Sequence, residues 1–404
     1  VQSIDVIGVS AAGASTAGVA GVATVLISEN DVEALIGKGV QIAASGDVSL
    51  TANNEFETLS VAGGLGVGGS AGIGAAASVV TVENVTRAAI ANGTSAADAV
   101  KITQAGALNI DANARQTGQT FSVAGGVATG SAGVGAGAGV FVLETTTEAL
   151  LGDYAQIGQT GTVGEIAVTA TDDSTLDTFP GAAGGGGSVG AGAGVGVGVI
   201  TKTVTAAIGD NAQVRGSDVL VNAQSGEAAN IVAVSAGVGG SAGLAGAVAV
   251  YTIENTTTAK IGENAEVFAS DDVAVLANDF ATVDTLVGSV GVGGSAGIGA
   301  SVGIVVIDNT THATIEDGAQ VTALGYGAGI DYVSDFDVNF TSFVDNFQGA
   351  DLSDWDASSG LVASNASSAS DVGLTATDAR NTGLSLLTKT RNGTAHTETG
   401  HGVV

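Results

Sequence analysis

One short motif recurs along the chain at nearly constant intervals, and it limits the possible folds more than any other feature. A Gly-Ser-Ala-Gly-x-Gly core stands at Gly69–Gly74, Gly130–Gly135 and Gly294–Gly299. Relaxed copies occupy Gly187–Gly192, Gly240–Ala245 and Ser15–Ala20. The hydroxyl residues Thr16, Ser70, Ser131, Ser188, Ser241 and Ser295 lie 54, 61, 57, 53 and 54 residues apart. Two residues beyond the serines stand Gly72, Gly133, Gly190, Gly243 and Gly297, and these ten positions mark the structural repeat. Self-similarity at a fixed period means stacked copies of one supersecondary unit. Six copies account for residues 1–324.

Each copy has three parts. The first is Gly-rich and apolar, as in Val287-Gly-Ser-Val-Gly-Val-Gly-Gly-Ser-Ala-Gly-Ile-Gly-Ala-Ser-Val-Gly-Ile-Val-Val-Ile307. Alternation of Gly or Ala with Val or Ile has period two, which is strand, and the Gly-Gly-Ser-Ala-Gly centre reads as a turn or bulge between two strands. The second part is an acidic-Asn-Thr step: Glu83-Asn-Val-Thr86, Glu254-Asn-Thr-Thr257 and Asp308-Asn-Thr-Thr311. Thr suits an exposed strand face and Asn the turn beside it. The third part is typified by Ile261-Gly-Glu-Asn-Ala-Glu-Val267 followed by Asp272-Val-Ala-Val-Leu-Ala277. Apolar residues spaced about six apart, each followed by Gly, Asn or Asp, fit short strands joined by tight corners. Such corners favour Gly or Asn because they need positive φ.

These patterns predict an all-β, repetitive β-solenoid, a parallel β-helix-like rod with Gly-rich strand pairs. With coils of about 18 residues, three to a repeat and ~4.8 Å apart, the rod would be ~85 Å long. The small residues of the Gly-rich part would either fill a narrow coil interior or form a hairpin lying on the rod.

Composition removes several functional classes. The 404 residues include 65 Gly but one Pro, which excludes a collagen-like helix. Cys and Met are absent, so disulfide frameworks, thiol catalysis and Cys-ligated metal are excluded. Ten basic residues against forty acidic ones give a net charge of −30, which leaves no basic patch for nucleic acid. The uncharged stretches 59–82 and 116–143 are long enough for a membrane helix. Their glycines, at about 1 kcal/mol each in a helix, argue against one. The chain opens at Val1 without a charged-then-apolar signal segment, which reads as a processed chain or a fragment.

Residues 325–404 break the repeat and read as a distinct cap or junction. Seven of the fifteen aromatic residues fall between Tyr326 and Trp355. Asp335-x-Asp337-x-Asn339 opens like a calcium loop, but Phe340 and Asn346 replace its Gly and Glu, so an EF-hand is rejected. Asp335, Asp337, Asp351, Asp354 and Asp356 remain as candidates for a looser calcium site, set against a solvated acidic face. No other cofactor is expected. His396, Glu398 and His401 read as surface residues, and His312 lies on an outward face. No phosphate loop is present, since no Gly-Lys-Ser/Thr follows the Gly-rich strings. A lyase-type site would need carboxylates gathered round a Lys or Arg, and the basic residues are scattered; no enzyme is expected. The Asn-x-Ser/Thr sequons read as Asn/Thr turn chemistry.

The Ile-Gly-x-x-Ala-x-Val and Asp-Val-x-Val-x-Ala patterns, joined to the Gly-Ser-Ala-Gly-x-Gly runs, resemble repeats of filamentous haemagglutinin-like adhesins of Gram-negative bacteria, most nearly the leukotoxin-type filamentous adhesins. The resemblance covers residues 1–324. It implies a secreted or cell-surface β-helical fibre serving attachment or biofilm matrix, with contacts to itself or to host and matrix polymers, and it supplies no catalytic residues. Two alternatives stand beside it. One is an extracellular filament subunit polymerising through strand pairing; the other is a calcium-stabilised carbohydrate-binding surface protein built on 326–356.

Overall fold

The computed structural model describes residues 1–325 and the strand Leu384–Arg391, and among these every regular element is a β-strand. Each repeat forms one complete coil. Coil one comprises β1 (Gln2–Ala14), β2 (Ala17–Ile36) and β3 (Gln41–Ala43). Coil two comprises β4 (Val48–Gly68), β5 (Ala71–Ile90) and β6 (Lys101–Gln104). Coil three has β7 (Leu108–Ala128), β8 (Ala132–Leu151) and β9 (Gln156–Ile157); coil four has β10 (Ile166–Gly186), β11 (Val189–Ile208) and β12 (Gln213–Gly216). Coil five has β13 (Val219–Gly239), β14 (Ala242–Ile261) and β15 (Glu266–Ala269). Coil six has β16 (Val273–Gly293), β17 (Ala296–Ile315) and β18 (Gln320–Ala323), and β19 (Leu384–Arg391) pairs with β16.

Like elements of successive coils pair in parallel and build three sheets: an outgoing sheet of first strands, a return sheet of second strands and a narrow sheet of short strands. Register follows the sequence repeat, so Ala17 pairs with Ala71, Ala71 with Ala132, Ala132 with Val189, Val189 with Ala242 and Ala242 with Ala296. The solenoid is therefore as the sequence predicts, but its coil is three times larger. One coil consumes a whole repeat because its two long strands run about 20 residues each without a corner. The six-residue spacing belongs only to the bends around the short strand. Six coils at ~4.8 Å stand ~29 Å high rather than ~85 Å, while each long strand spans ~66 Å. The six-coil body is a plate, wider than it is tall.

The Gly-rich part fills a narrow interior. Next to the turn the outgoing and return strands approach until backbone meets backbone: a Cβ on Gly66 would collide with the carbonyl of Ile73, and one on Gly126 with that of Val134. Moving away from the turn, inward side chains grow in size. An Ala cluster (Ala62, Ala76, Ala124) comes first, then Phe56, Phe141, Leu176 and Tyr251, then the Val/Ile/Leu core enclosed by the short sheet. The coil cross-section is a wedge whose thin edge is made possible by glycine.

The corner after the return strand takes the expected positive φ in five coils, at Gly or Asn in four of them and at Tyr154 in coil three. Gly39, Tyr154, Asn211, Asn264 and Gly318 all adopt φ between 55° and 75°. Coil two departs, because the loop 91–100 is longer and is tied by Asp98, whose carboxylate accepts from the Thr94 and Ser95 amides. Among the described residues no strand pairs with the outer edges of β1, β2 and β17.

Candidate functional site

The marker serines line the thin edge. The Ser70 amide donates to Thr16 O, Ser131 to Ser70 O, Ser188 to Ser131 O, Ser241 to Ser188 O and Ser295 to Ser241 O, at 2.8–3.1 Å. Gly72, Gly133, Gly190, Gly243 and Gly297 follow on the return strands, and a Cβ at each would strike a main-chain carbonyl, Val127 O for Gly72 and Val292 O for Gly243. The calcium candidates Asp335, Asp337, Asp351, Asp354 and Asp356 lie outside the described residues.

The chemistry lies inside the wedge, in a polar row crossing all six coils between the two larger apolar clusters. Asn30, Asn84, Thr145, Lys202, Asn255 and Asn309 are consecutive register partners in the return sheet. Opposite them, Asn54, Ala114, Asp172, Ser225 and Asp279 are register partners in the outgoing sheet. The acidic-Asn-Thr step is thus mid-strand and not a turn, and its threonines divide between the faces: Thr256 and Thr310 are exposed as expected, whereas others point inward. Asn84, Thr86, Asn255 and Thr257 are buried in mid-strand, while the acid before each Asn points outward. The reason is strand parity: Glu83 and Arg87 take the solvent face, which turns Asn84 and Thr86 inward. Buried in this way, the Asn84 and Asn255 sequons are closed to modification.

In coils four and five the row becomes ionic. Lys202 is fully buried, with its Nζ 2.9 Å from Asp172 Oδ1 and 2.9 Å from Glu227 Oε1. The ammonium also donates to Asp172 O (2.9 Å), Gly226 O (3.1 Å) and Ser174 Oγ (3.3 Å). Thr147 Oγ1 donates to Asp172 Oδ2 at 2.7 Å and Ser225 Oγ to Glu227 Oε1 at 2.6 Å. Burial alone would lower the lysine pKa, but the two carboxylates more than reverse this and hold it above the usual lysine range. Asp279, one coil on, accepts from Asn309 Nδ2 at 2.7 Å; burial, together with the Glu227 charge, pushes its carboxyl well up. Asp173 points to the opposite face of its strand, and burial raises it to about 7.

One repeat therefore does gather carboxylates around a base, contrary to the sequence expectation that none does. Lys202 carried the signal: in Thr201-Lys202-Thr203 it takes the parity of the buried Asn row. With every charged atom sealed from solvent, the cluster can fix strand register and hold a proton, but it cannot meet a substrate.

A second acidic group lies at the corners leading into β13 and β16. Carboxylate oxygens of Asp218, Asp271 and Asp272 lie within 4.8 Å of one another. The Asp272 amide donates to Asp218 Oδ1 at 3.3 Å, much as Ala107 donates to Asp47 Oδ1 at 2.9 Å three coils earlier. Asp218 and Asp47 thus cap the backbone of the adjoining coil. His312 faces outward, as expected, and no helix among the described residues is long and apolar enough to cross a membrane. Comparison with known proteins finds no matching family model, no similar curated protein and no similar solved structure.

Proposed function

We propose that the chain is a structural and adhesive module of an extracellular bacterial surface fibre. The observation that carries this reading is the sameness of the six coils. The Gly-Ser edge and the buried polar row repeat in register from one end to the other, and the positive-φ corner recurs in five of the six coils, as a scaffold requires. The ion cluster of Lys202 has no solvent-facing atom, which speaks for a structural role and against catalysis. The acidic outer rows keep such a body dispersed. At ~29 Å per six coils a single plate spaces little, so a long fibre needs many coils in series. Antibodies raised against residues 1–325 should label intact cells of the source bacterium; label seen only after lysis would refute the reading.

A second reading, self-assembly by axial strand pairing, is favoured by the edges of β1, β2 and β17, which no strand among the described residues covers. Because all coils share one register, the last coil of one copy can pair with the first of the next, which is the usual hazard of open edges. Electron microscopy at micromolar concentration distinguishes the readings: isolated plates exclude self-assembly, and filaments with a 4.8 Å axial repeat establish it.

A further inference from the structure

The outgoing sheet has an outer face that the coil does not explain. From residue 7 of coil one to the turn, and at the register-matched positions of the other five coils, every outward residue is Gly, Ala, Val, Leu, Ile or Phe. Val9, Val123 and Val290 are more than half exposed. The inward glycines of the thin edge are required by backbone contact, but the outward ones are not. A Cβ at Gly63 would come no closer than 3.7 Å to Val9, one at Gly181 3.8 Å to Val123 and Val234, and one at Gly288 4.0 Å to Val234. Those are ordinary contacts at ordinary φ. Glycine in a strand is destabilising, so the isolated coil would be more stable with Ala or Val there.

The order of these residues supplies a reason. Along the coils one row reads Val9, Gly63, Val123, Gly181, Val234, Gly288, all consecutive register partners. Reversed, the row reads Gly, Val, Gly, Val, Gly, Val. A two-fold axis parallel to the strands, passing between coils three and four, would therefore set every Val of one copy over a Gly of another. The next row toward the turn obeys the same rule, with Ala11 meeting Val290 and Leu65 meeting Ala236. On the border row, Gln119 would meet Asp177, which it already bonds within its own chain at 3.1 Å, Leu59 would meet Asn230, and Asp5 would meet Asp284.

We infer that this face is a self-complementary interface and that its occupant is a second copy of the chain, packed sheet on sheet with coil order reversed. Four rows at ~6.6 Å and six strands at ~4.8 Å give ~750 Å² per copy. Both copies together bury ~1,500 Å², within the standard range of specific interfaces. The return sheet is apolar outside too, but its border row would set Glu29 against Asp308 and Glu83 against Glu254, twice the like-charge meetings of the outgoing border, where only Asp5 faces Asp284. The contact is lateral and leaves the coil edges free, so it stands apart from the axial readings above.

Sedimentation velocity of the whole chain should show a dimer that Gly181→Val converts to monomer, with strand content and melting temperature kept, since the monomer has room for the added side chain. A wild-type chain still monomeric at 100 μM, or a Gly181→Val chain that dimerises as well as wild type, would overturn the inference. The chain has no Cys, which allows a geometric test. Positions 9 and 288 lie five coils apart in one chain, ~24 Å, yet face each other across the proposed axis. Val9→Cys/Gly288→Cys should form an intermolecular disulfide under mild oxidation, while each single variant should not. Absence of the cross-link in the double variant, or its formation by Val9→Cys alone, refutes the coil-reversed arrangement.

Discussion

Replacing Lys202 by Met tests the buried polar row most directly. The ammonium has two ion pairs at 2.9 Å and three further hydrogen bonds, all closed to solvent. At an effective dielectric of 20, each pair is worth roughly 6 kcal/mol of Coulomb energy. Desolvation of three ions offsets most of that, so the cluster as a whole contributes little net stability. Removing one partner is different. Met fills the volume of the lysine stem but leaves Asp172 and Glu227 facing each other as buried, uncompensated charges. The expected loss is about 3–5 kcal/mol. Because the stranded carboxylates can escape by protonation, the loss should shrink as pH falls from 8 to 5. Lys202→Met/Asp172→Asn/Glu227→Gln, which removes all the charges together, should recover most of it. Urea denaturation followed by circular dichroism measures the size. Hydrogen exchange resolved by mass spectrometry should place the lost protection in 166–186, 189–208 and 219–239. A loss under 1 kcal/mol, or one equal at pH 5 and pH 8, would mean that water reaches these groups and that the sealed-cluster argument is wrong.

The raised carboxylates set a pH trend. Asp173 has its folded pKa raised to about 7 by burial, so folding favours its proton. The stabilisation is full below the unfolded value of ~3.9 and is lost as pH rises through 7, at up to ~1.4 kcal/mol per pH unit. Thermal unfolding should therefore be easier at pH 8 than at pH 5, and Asp173→Asn should flatten that slope; an unchanged slope would remove Asp173 as its cause. Two glycine substitutions differ only in which face they enter. Gly126→Ala drives a methyl into Val134 O and should cost about 3 kcal/mol. Gly185→Ala meets nothing within 4 Å and should gain about 0.5 kcal/mol in the monomer; equal effects in denaturant titrations would refute the inter-sheet contact. Tyr154 holds φ of 60° where other coils place Gly or Asn, so Tyr154→Gly should raise stability by about 1 kcal/mol, read as a higher unfolding midpoint.

What the sequence disclosed follows from how local each feature is. The repeat, the strand alternation and the positive-φ corners depend on residues near one another, and all were legible. Coil size was not, because alternation around Gly69-Ser70 fits equally a hairpin or two strands that face each other and pair only with other coils. That choice is made by contacts such as Gly66 against Ile73, across the wedge. The inward Asn row was half legible. Val79, Val80 and Val82 leave the phase of their strand open, whereas Glu83 and Arg87 settle it. Lys202 obeys the same parity, yet its partners Asp172 and Glu227 lie 30 and 25 residues away on another sheet, and no local pattern joins them.

Packing a whole repeat into a single coil has a mechanical consequence. Each coil adds ~4.8 Å to the length of the folded stack but holds about 54 residues of chain, ~190 Å when drawn straight. Pulled from its ends, the module would exchange ~4.8 Å of stack for ~190 Å of chain at every coil that peels away, about forty times that coil's folded height. Since each coil is held chiefly by its two neighbours, peeling proceeds from an exposed end, one coil at a time. A tether of this kind is short at rest and gives way in steps of nearly 20 nm, absorbing work at each step while the remaining coils stay folded.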